Sequence, residues 1–361
     1  MINMVATTYA YSPDLVFPPG DTLSEVLDDY GMTQTELARR TGLSTKHINQ
    51  IIRGQVGITP ETALLLEKAT GVHAATWNRL EVAHQEFRSR QDEAKTLAAD
   101  VGWLDLIPYK ELVARGLVAA CKDPIDRVRE LCRFFGVANF AAWEAVWHKP
   151  TAYRTSAAFT SEPGAVAAWL RLGEIRAAAI ATQPFHKAGL NAHLETFRAL
   201  TRDPDPNSWW PKLTALCASV GVALVGEPEI KGARINGAAR WLNSDKAIVQ
   251  LSFRHKWSDI VWFTFFHEIA HLLIHSKKDA FINDDKTKHS GHEQEADAYA
   301  SQLLIPRRRE AELSQLVTNA DVEGFAEDIG IAPGIVVGRL QFEHRWAYNR
   351  GVEFKQRFTL R

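Results

Sequence analysis

The stretch Gln34-Thr-Glu-Leu-Ala-Arg-Arg-Thr-Gly-Leu-Ser-Thr-Lys-His-Ile-Asn-Gln-Ile-Ile-Arg53 has the spacing of two short helices joined by a tight turn. Ala38 is small where two helices cross, and Gly42 stands where such a turn needs a positive φ. Leu43, Ile48 and Ile51 supply an apolar wedge between the helices, and Ser44 is suited to cap the second one. That second helix presents Thr45, Lys46, Asn49 and Gln50 outward, side chains able to hydrogen-bond base edges in a major groove. Four basic residues, Arg39, Arg40, Lys46 and Arg53, fall between Leu37 and Pro60 with no acidic residue among them. The plainer reading is a helical hairpin with a solvated face.

The run from Pro18-Pro19-Gly20-Asp21 through Gln34 to Arg53, with Gly57-Ile58-Thr59-Pro60 and Thr76-Trp77, resembles the Cro/C1-type (XRE) helix-turn-helix family, most of all its HigA-type antitoxin branch. The resemblance implies a five-helix domain over residues 20–90 that binds operator DNA as a homodimer. Its base contacts would map onto Thr45, Lys46 and Gln50, with Gln34 near a phosphate.

Over the whole chain of 361 residues, 42 Lys+Arg balance 43 Asp+Glu for a net charge of -1, which argues against a protein coated in basic charge. The balance is an average, because Asp21, Glu25, Asp28 and Asp29 precede the basic patch and cancel it in the sum. Cys121, Cys132 and Cys217 are odd in number and form no CxxC pair, so neither a disulfide framework nor a cysteine-type zinc site is expected. Met1 to Pro18 has no basic n-region and no apolar h-region, so no signal peptide is expected. The most apolar stretch, Ile260 to Ile274, is too short and too polar to span a bilayer, and the expected location is cytoplasmic.

Beyond the hairpin, the polar run Arg88-Ser-Arg-Gln-Asp92 reads as a linker or an exposed helix end. Residues of about 93–205 are rich in Ala, Leu and Trp at helical spacing, with Trp143, Trp147 and Trp169 read as core. Thr201 to Ser208 is a breaker, followed by a helix at Trp210 to Val220. Strand-like runs come next at Val222–Val225, Ala238–Leu242 and Ala247–Phe253, and a helix from Ser258 to His275.

That last helix carries His267-Glu268-Ile-Ala-His271. Positions i and i+4 share one helix face, so both imidazoles can address one metal ion, while Glu268 reaches a water on it. The flanks Val261-Trp-Phe-Thr-Phe-Phe266 and Leu272-Leu-Ile274 are strongly apolar, and two histidines and a glutamate in such a helix are costly unless something satisfies them. A catalytic zinc takes three protein ligands and leaves a fourth position for water. Candidates for the third are His275, His289, His292, Glu293, Glu295 and Asp297. His275 lies about 12 Å from His267 along the helix, too far to share an ion with it. His289 and His292 fall in a polar stretch read as a loop, and Glu293 begins a helix whose stripe Ala296, Tyr299, Ala300, Leu303 and Leu304 can pack on the first. Glu293 and Glu295 are otherwise read as charges complementing that helix's dipole.

The pair of runs HEIAH and Glu293-Gln-Glu-Ala-Asp-Ala-Tyr-Ala-Ser-Gln-Leu-Leu-Ile-Pro306 resembles the ImmA/IrrE family of zinc metallopeptidases. The three strands before it and Gly330-Ile-Ala-Pro-Gly-Ile-Val-Val-Gly-Arg-Leu-Gln341 after it fit the same resemblance. It implies Zn2+ held by His267, His271 and Glu295, with Glu293 or Asp297 behind the ligands and Glu268 as general base. Tyr299, His344 and Arg254 are candidate oxyanion stabilisers, each more simply read as structural.

These readings give a multidomain, mainly α chain: a helix-turn-helix domain at 20–90, a helical middle region at 93–205, an α+β zincin-like domain with a small three-stranded sheet at 206–345, and a tail at 346–361. The two resemblances together imply a DNA-binding transcriptional regulator with a zinc-dependent endopeptidase domain. Its substrate would be one regulatory protein: a repressor, a toxin or antitoxin partner, or the chain itself. The other reading is a HigA-type antitoxin and operon repressor whose zinc domain only senses a signal or binds a partner.

Overall fold

The computed structural model describes residues 16–148, 161–275 and 286–358. The chain divides into two compact units, residues 1–99 and 100–361.

The first unit holds α1 (Pro19–Asp29), α2 (Gln34–Thr41), α3 (Thr45–Ile52), α4 (Pro60–Thr70) and α5 (Ala74–Ala99). The expected caps form: the Ser44 hydroxyl accepts from His47 N at 3.1 Å, and Gly42 adopts φ 75° after α2. Gly20 lies where α1 crosses the end of α3, and a Cβ there would come within 2.2 Å of the Ile51 carbonyl oxygen. Leu23, Leu37, Ile48, Ile51, Leu66 and Trp77 are fully buried and form the core of this unit. Buried Glu81 ties α5 to the loop before α4 by accepting Ile58 N at 2.8 Å.

The run Arg88–Asp92 neither links nor ends anything; α5 continues through it to Ala99. Exposed pairs one turn apart, Arg90 with Glu86 and Lys95 with Asp92, stabilise helix in a segment with no apolar stripe.

In the second unit, α6 (Tyr109–Ala114), α7 (Pro124–Phe135), α8 (Pro163–Ala178) and α9 (Pro206–Ser219) precede the sheet of β1 (Val222–Gly226), β2 (Gly237–Asn243) and β3 (Lys246–Leu251). The strand order is β1-β3-β2, with β1 parallel and β2 antiparallel to β3. There follow α10 (Ser258–Ile274), α11 (Lys286–Leu304), α12 (Asn319–Ile329) and α13 (Pro333–Phe342). No helix among the described residues is long and apolar enough to cross a membrane.

One core cluster runs from Leu190, Phe197 and Trp209 through the sheet to Trp262, Phe265 and Phe266 of α10 and on to Val336 and Leu340 of α13. The stretch 93–205 therefore has no single body of its own. Its first residues complete α5, and its later ones share the core of the sheet. Trp143, Trp147 and Trp169 are buried, as their helical spacing implied.

Residues 346–358 are likewise packed rather than trailing. Trp346 and Phe358 are buried, the Phe358 ring is tilted against Trp209 with centroids 5.1 Å apart, and Gln356 O accepts from Ser258 N at the start of α10. Lys355 pairs there with Asp259 at 2.7 Å, both side chains about nine-tenths buried.

Candidate metal centre and nucleic-acid interface

α10 is apolar on nearly every face because it is enclosed: Trp262, Phe265, Phe266, Ile269 and Ala270 are all buried. His267, His271 and His275 recur every fourth residue and so share one stripe, which faces α11. Glu268 is buried beside that stripe, against the first residue of β2. A Cβ on Gly237 would stand 2.7 Å from Glu268 Oε1 and 2.5 Å from Thr264 Cγ2, so the strand reaches the glutamate only because position 237 has no side chain. The isolated glycine at the head of a strand run was the signal for it in the sequence.

On α11 the structure brings a different glutamate to the histidine pair from the one the resemblance implied. Glu293, not Glu295, reaches the two histidines: its carboxylate is 3.1 Å from His267 Nε2 and 3.4 Å from His271 Nε2. Asp297, one turn further on, lies 2.8 Å from His267 Nδ1. Glu295 lies instead 3.2 Å from His275 Nε2. The cause is helical phase. α11 begins at Lys286, so the stretch read as a loop is its first turns, and His292 lies within it. Each residue advances about 100°, so 293 and 297 share a face and 295 falls on another. The backbone of His289 belongs to the same helix, and its side chain lies outside the described residues.

His267, His271 and Glu293 each offer a donor atom, all within 4.8 Å of one another, and the two Nε2 atoms are 3.1 Å apart. Burial opposes charge on His267, yet the hydrogen bonds its ring donates to the Asp297 and Glu293 carboxylates outweigh it and raise its pKa to about 10. Burial alone would raise the Glu293 pKa, but His267 and His271 hold it well below the usual carboxylate range. Two imidazole nitrogens and a carboxylate converging on one point, with an acidic residue behind the first imidazole, fit the donor set of a divalent metal.

A second group, His275, His292 and Glu295, stands beside the first. The rings of His275 and His292 stack with centroids 4.2 Å apart, and His271 Nδ1 is 2.9 Å from His275 Nδ1. Of the expected oxyanion candidates, Arg254 pairs with Glu229 at 3.4 Å, and His344 is exposed in the turn after α13. Tyr299 packs against the core of the second unit, and that burial raises its pKa.

In the first unit, Thr45, Lys46 and Arg53 are exposed, and Asn49 and Gln50 are partly so. Asn49 Nδ2 donates to Gln34 Oε1 at 3.2 Å, joining the start of α2 to the middle of α3. The basic patch is not unopposed. Glu36, one residue before the stretch free of acids, pairs with both Arg39 and Arg40 and sees its own pKa lowered, chiefly by the Arg40 hydrogen bond.

Comparison with known proteins agrees with both halves. Residues 23–77 match the family described as helix-turn-helix, and residues 256–341 match the IrrE N-terminal-like domain. Virulence-associated protein I of Dichelobacter nodosus is 36% identical over 76 residues, 21% of this chain and 70% of that protein. A solved addiction module antidote protein of a HigA family from Coxiella burnetii is 26% identical, covering 23% of this chain and 92% of its own, with a TM-score of 0.22. A solved structure assigned as an antidote protein of a plasmid maintenance system from Nostoc punctiforme is 28% identical, covering 21% and 85%, with a TM-score of 0.21.

Fold and site together define a DNA-binding module joined in one chain to a metallopeptidase-like domain. The chain belongs to the XRE-type helix-turn-helix proteins and carries an ImmA/IrrE-type domain fused to that module.

Proposed function

We propose that this chain is a transcriptional regulator whose C-terminal half is a zinc-dependent endopeptidase acting on one regulatory protein: a repressor, a toxin or antitoxin partner, or the chain itself. The observation that carries the reading is the convergence of His267, His271 and Glu293 on one point, with Glu268 buried alongside. In functional terms the DNA reader occupies 20–90 and the peptidase 206–345, and α8 of the stretch between them packs on β1 and β3.

Zn2+ bound by those three residues would supply Lewis acidity toward a peptide carbonyl and acidify a water. Asp297 accepts the Nδ1 proton of His267 and so keeps Nε2 turned toward the donor cluster. Glu268 takes the proton of the attacking water and delivers it to the leaving amine nitrogen. Gly237 and Thr264 close around Glu268, which fixes the carboxylate for that transfer.

On the DNA side, a homodimer would set two copies of α3 into successive major grooves. Thr45, Lys46, Asn49 and Gln50 would face base edges, with Gln34, Arg39, Arg40 and Arg53 near phosphates.

The experiment compares the parent chain with Glu268→Gln, each incubated with the proteins encoded beside its gene. The variant retains zinc and loses cleavage. Normal turnover by Glu268→Gln would overturn the peptidase reading and leave the zinc domain as a sensor or partner-binding module.

A further inference from the structure

Nδ1 of His271 and Nδ1 of His275 are 2.9 Å apart, a hydrogen-bond distance between two atoms of the same kind. Such a contact holds one proton. With none, two lone pairs face each other, and with two, two N–H groups collide.

If the metal reading above holds, His271 binds the ion through Nε2, so its own proton sits on Nδ1. His271 is then the donor and His275 the acceptor. A neutral His275 that accepts at Nδ1 carries its proton on Nε2, and Nε2 is 3.2 Å from Glu295 Oε2. Every atom in the line has a complementary partner: His271 donates to His275, and His275 donates to Glu295.

We infer that His275 is a positioning residue for His271, held in one tautomer by Glu295, and that His275, His292 and Glu295 take no second ion while the first site is filled. The second half follows from the same proton count. An ion on His275 Nε2 would leave the His275 proton on Nδ1, aimed at the Nδ1 proton of His271 across 2.9 Å. His292 has a different part: its ring lies against His275, centroids 4.2 Å apart and planes 27° apart, and restrains that ring from turning.

The two metal histidines are thus oriented by different means. His267 meets a carboxylate directly, Asp297 at 2.8 Å, whereas His271 meets one through an intervening imidazole. The histidine four residues after the HExxH motif, set aside as too far from the ion to bind it, acts by standing behind a residue that does.

The test uses the full chain, with zinc counted after equilibrium dialysis and affinity measured against a chromogenic chelator. One zinc per chain is expected. His275→Ala weakens zinc binding by roughly 10–100-fold, the usual effect of removing a ligand's hydrogen-bond partner. His275→Asn recovers most of that loss, because its amide oxygen can accept the same bond. Two zinc ions per chain, wild-type affinity in His275→Ala, or a loss that His275→Asn does not recover would each overturn the inference. Wild-type affinity in His267→Ala would instead overturn the underlying metal site.

Discussion

Glu293 Oε2 lies 3.1 Å from His267 Nε2, while Glu295, two residues on, reaches His275. The two glutamates are near neighbours in sequence and serve different histidines. Glu293→Ala should therefore cost zinc affinity more than the roughly 10–100-fold expected for an outer partner, since it removes a donor atom. Glu295→Gln keeps an acceptor for His275 and should stay close to the parent protein. Chelator competition on the two variants gives the ranking, and the reverse order would restore Glu295 as the third ligand.

The histidine pair, the general-base candidate, the three strands and both helix caps were legible because each depends on local spacing. Ser44, Gly42 and the period of four in HEIAH need only their neighbours. The choice between Glu293 and Glu295 depended on which face of α11 packs on α10: buried Ala296, Ala300 and Leu304 set that face, and Glu293, one turn before Ala296, continues it while Glu295 does not. Lys286–Gly291 is too polar to announce a helix, which hid that His292 lies on α11. Glu36 lies one residue before the acid-free stretch, and its i,i+3 and i,i+4 spacing to Arg39 and Arg40 is what pairs it with both. Phe358 is buried against Trp209, about 150 positions earlier, and Trp346 donates to the Leu316 carbonyl, 30 positions earlier, so neither left a local trace.

The charges around His267 give a pH signature in the metal-free protein. His267 is raised from an ordinary 6.5 to about 10, so its stabilising effect is complete below about 6.5 and lost as pH rises through 10. Glu293 is lowered from 4.5, so its effect is present above about 4.5 and lost on further acidification. Chelated protein should be most stable, relative to His267→Gln, between about 4.5 and 6.5, where both effects are complete. Zinc needs the neutral imidazole, so its affinity should climb by up to about tenfold per pH unit from 7 toward 10. Thermal melts and zinc titrations across pH 4–10 read both effects; parallel melting curves for parent and variant would remove the charged pair.

Gly237→Ala should separate folding from chemistry. The new methyl would press on Glu268 Oε1 and Thr264 Cγ2, both under 3 Å, at about 1–3 kcal/mol of overpacking. Zinc content should remain while cleavage falls with the displaced carboxylate. Gly324→Ala, on the exposed face of α12 with nothing within 4 Å, is the control and should be neutral or stabilising. Undiminished cleavage by Gly237→Ala would argue that Glu268 is not held where it works.

Glu36 restrains two of the four cations near the reading helix. Glu36→Gln should release Arg39 and Arg40, tighten binding to duplex DNA and steepen its salt dependence by up to about two contacts. Lys46→Ala, on the exposed start of α3, should flatten the slope by about one. Affinity measured over a salt series decides the matter, and an unchanged slope in both variants would place the phosphate contacts elsewhere.

The pair of Lys355 and Asp259 ties the last described segment to the first turn of α10. Both side chains are about nine-tenths buried and 2.7 Å apart, and Lys355 also donates to Gln341 Oε1 at 2.5 Å. A Cβ on Gly338 would come within 2.5 Å of Asp259 Oδ2, so α13 packs directly on this carboxylate and leaves no room for it to turn toward water. Lys355→Met should therefore strand a buried carboxylate and cost about 3–5 kcal/mol. Neutralising the partner as well, in Asp259→Asn with Lys355→Met, should recover much of that, because the penalty belongs to the unpaired charge and not to lost packing. Urea denaturation of the two variants measures the difference. Should the double variant fall as far as the single one, the pair acts through the shape of Lys355 against Gln341 and α13, and charge is the lesser term.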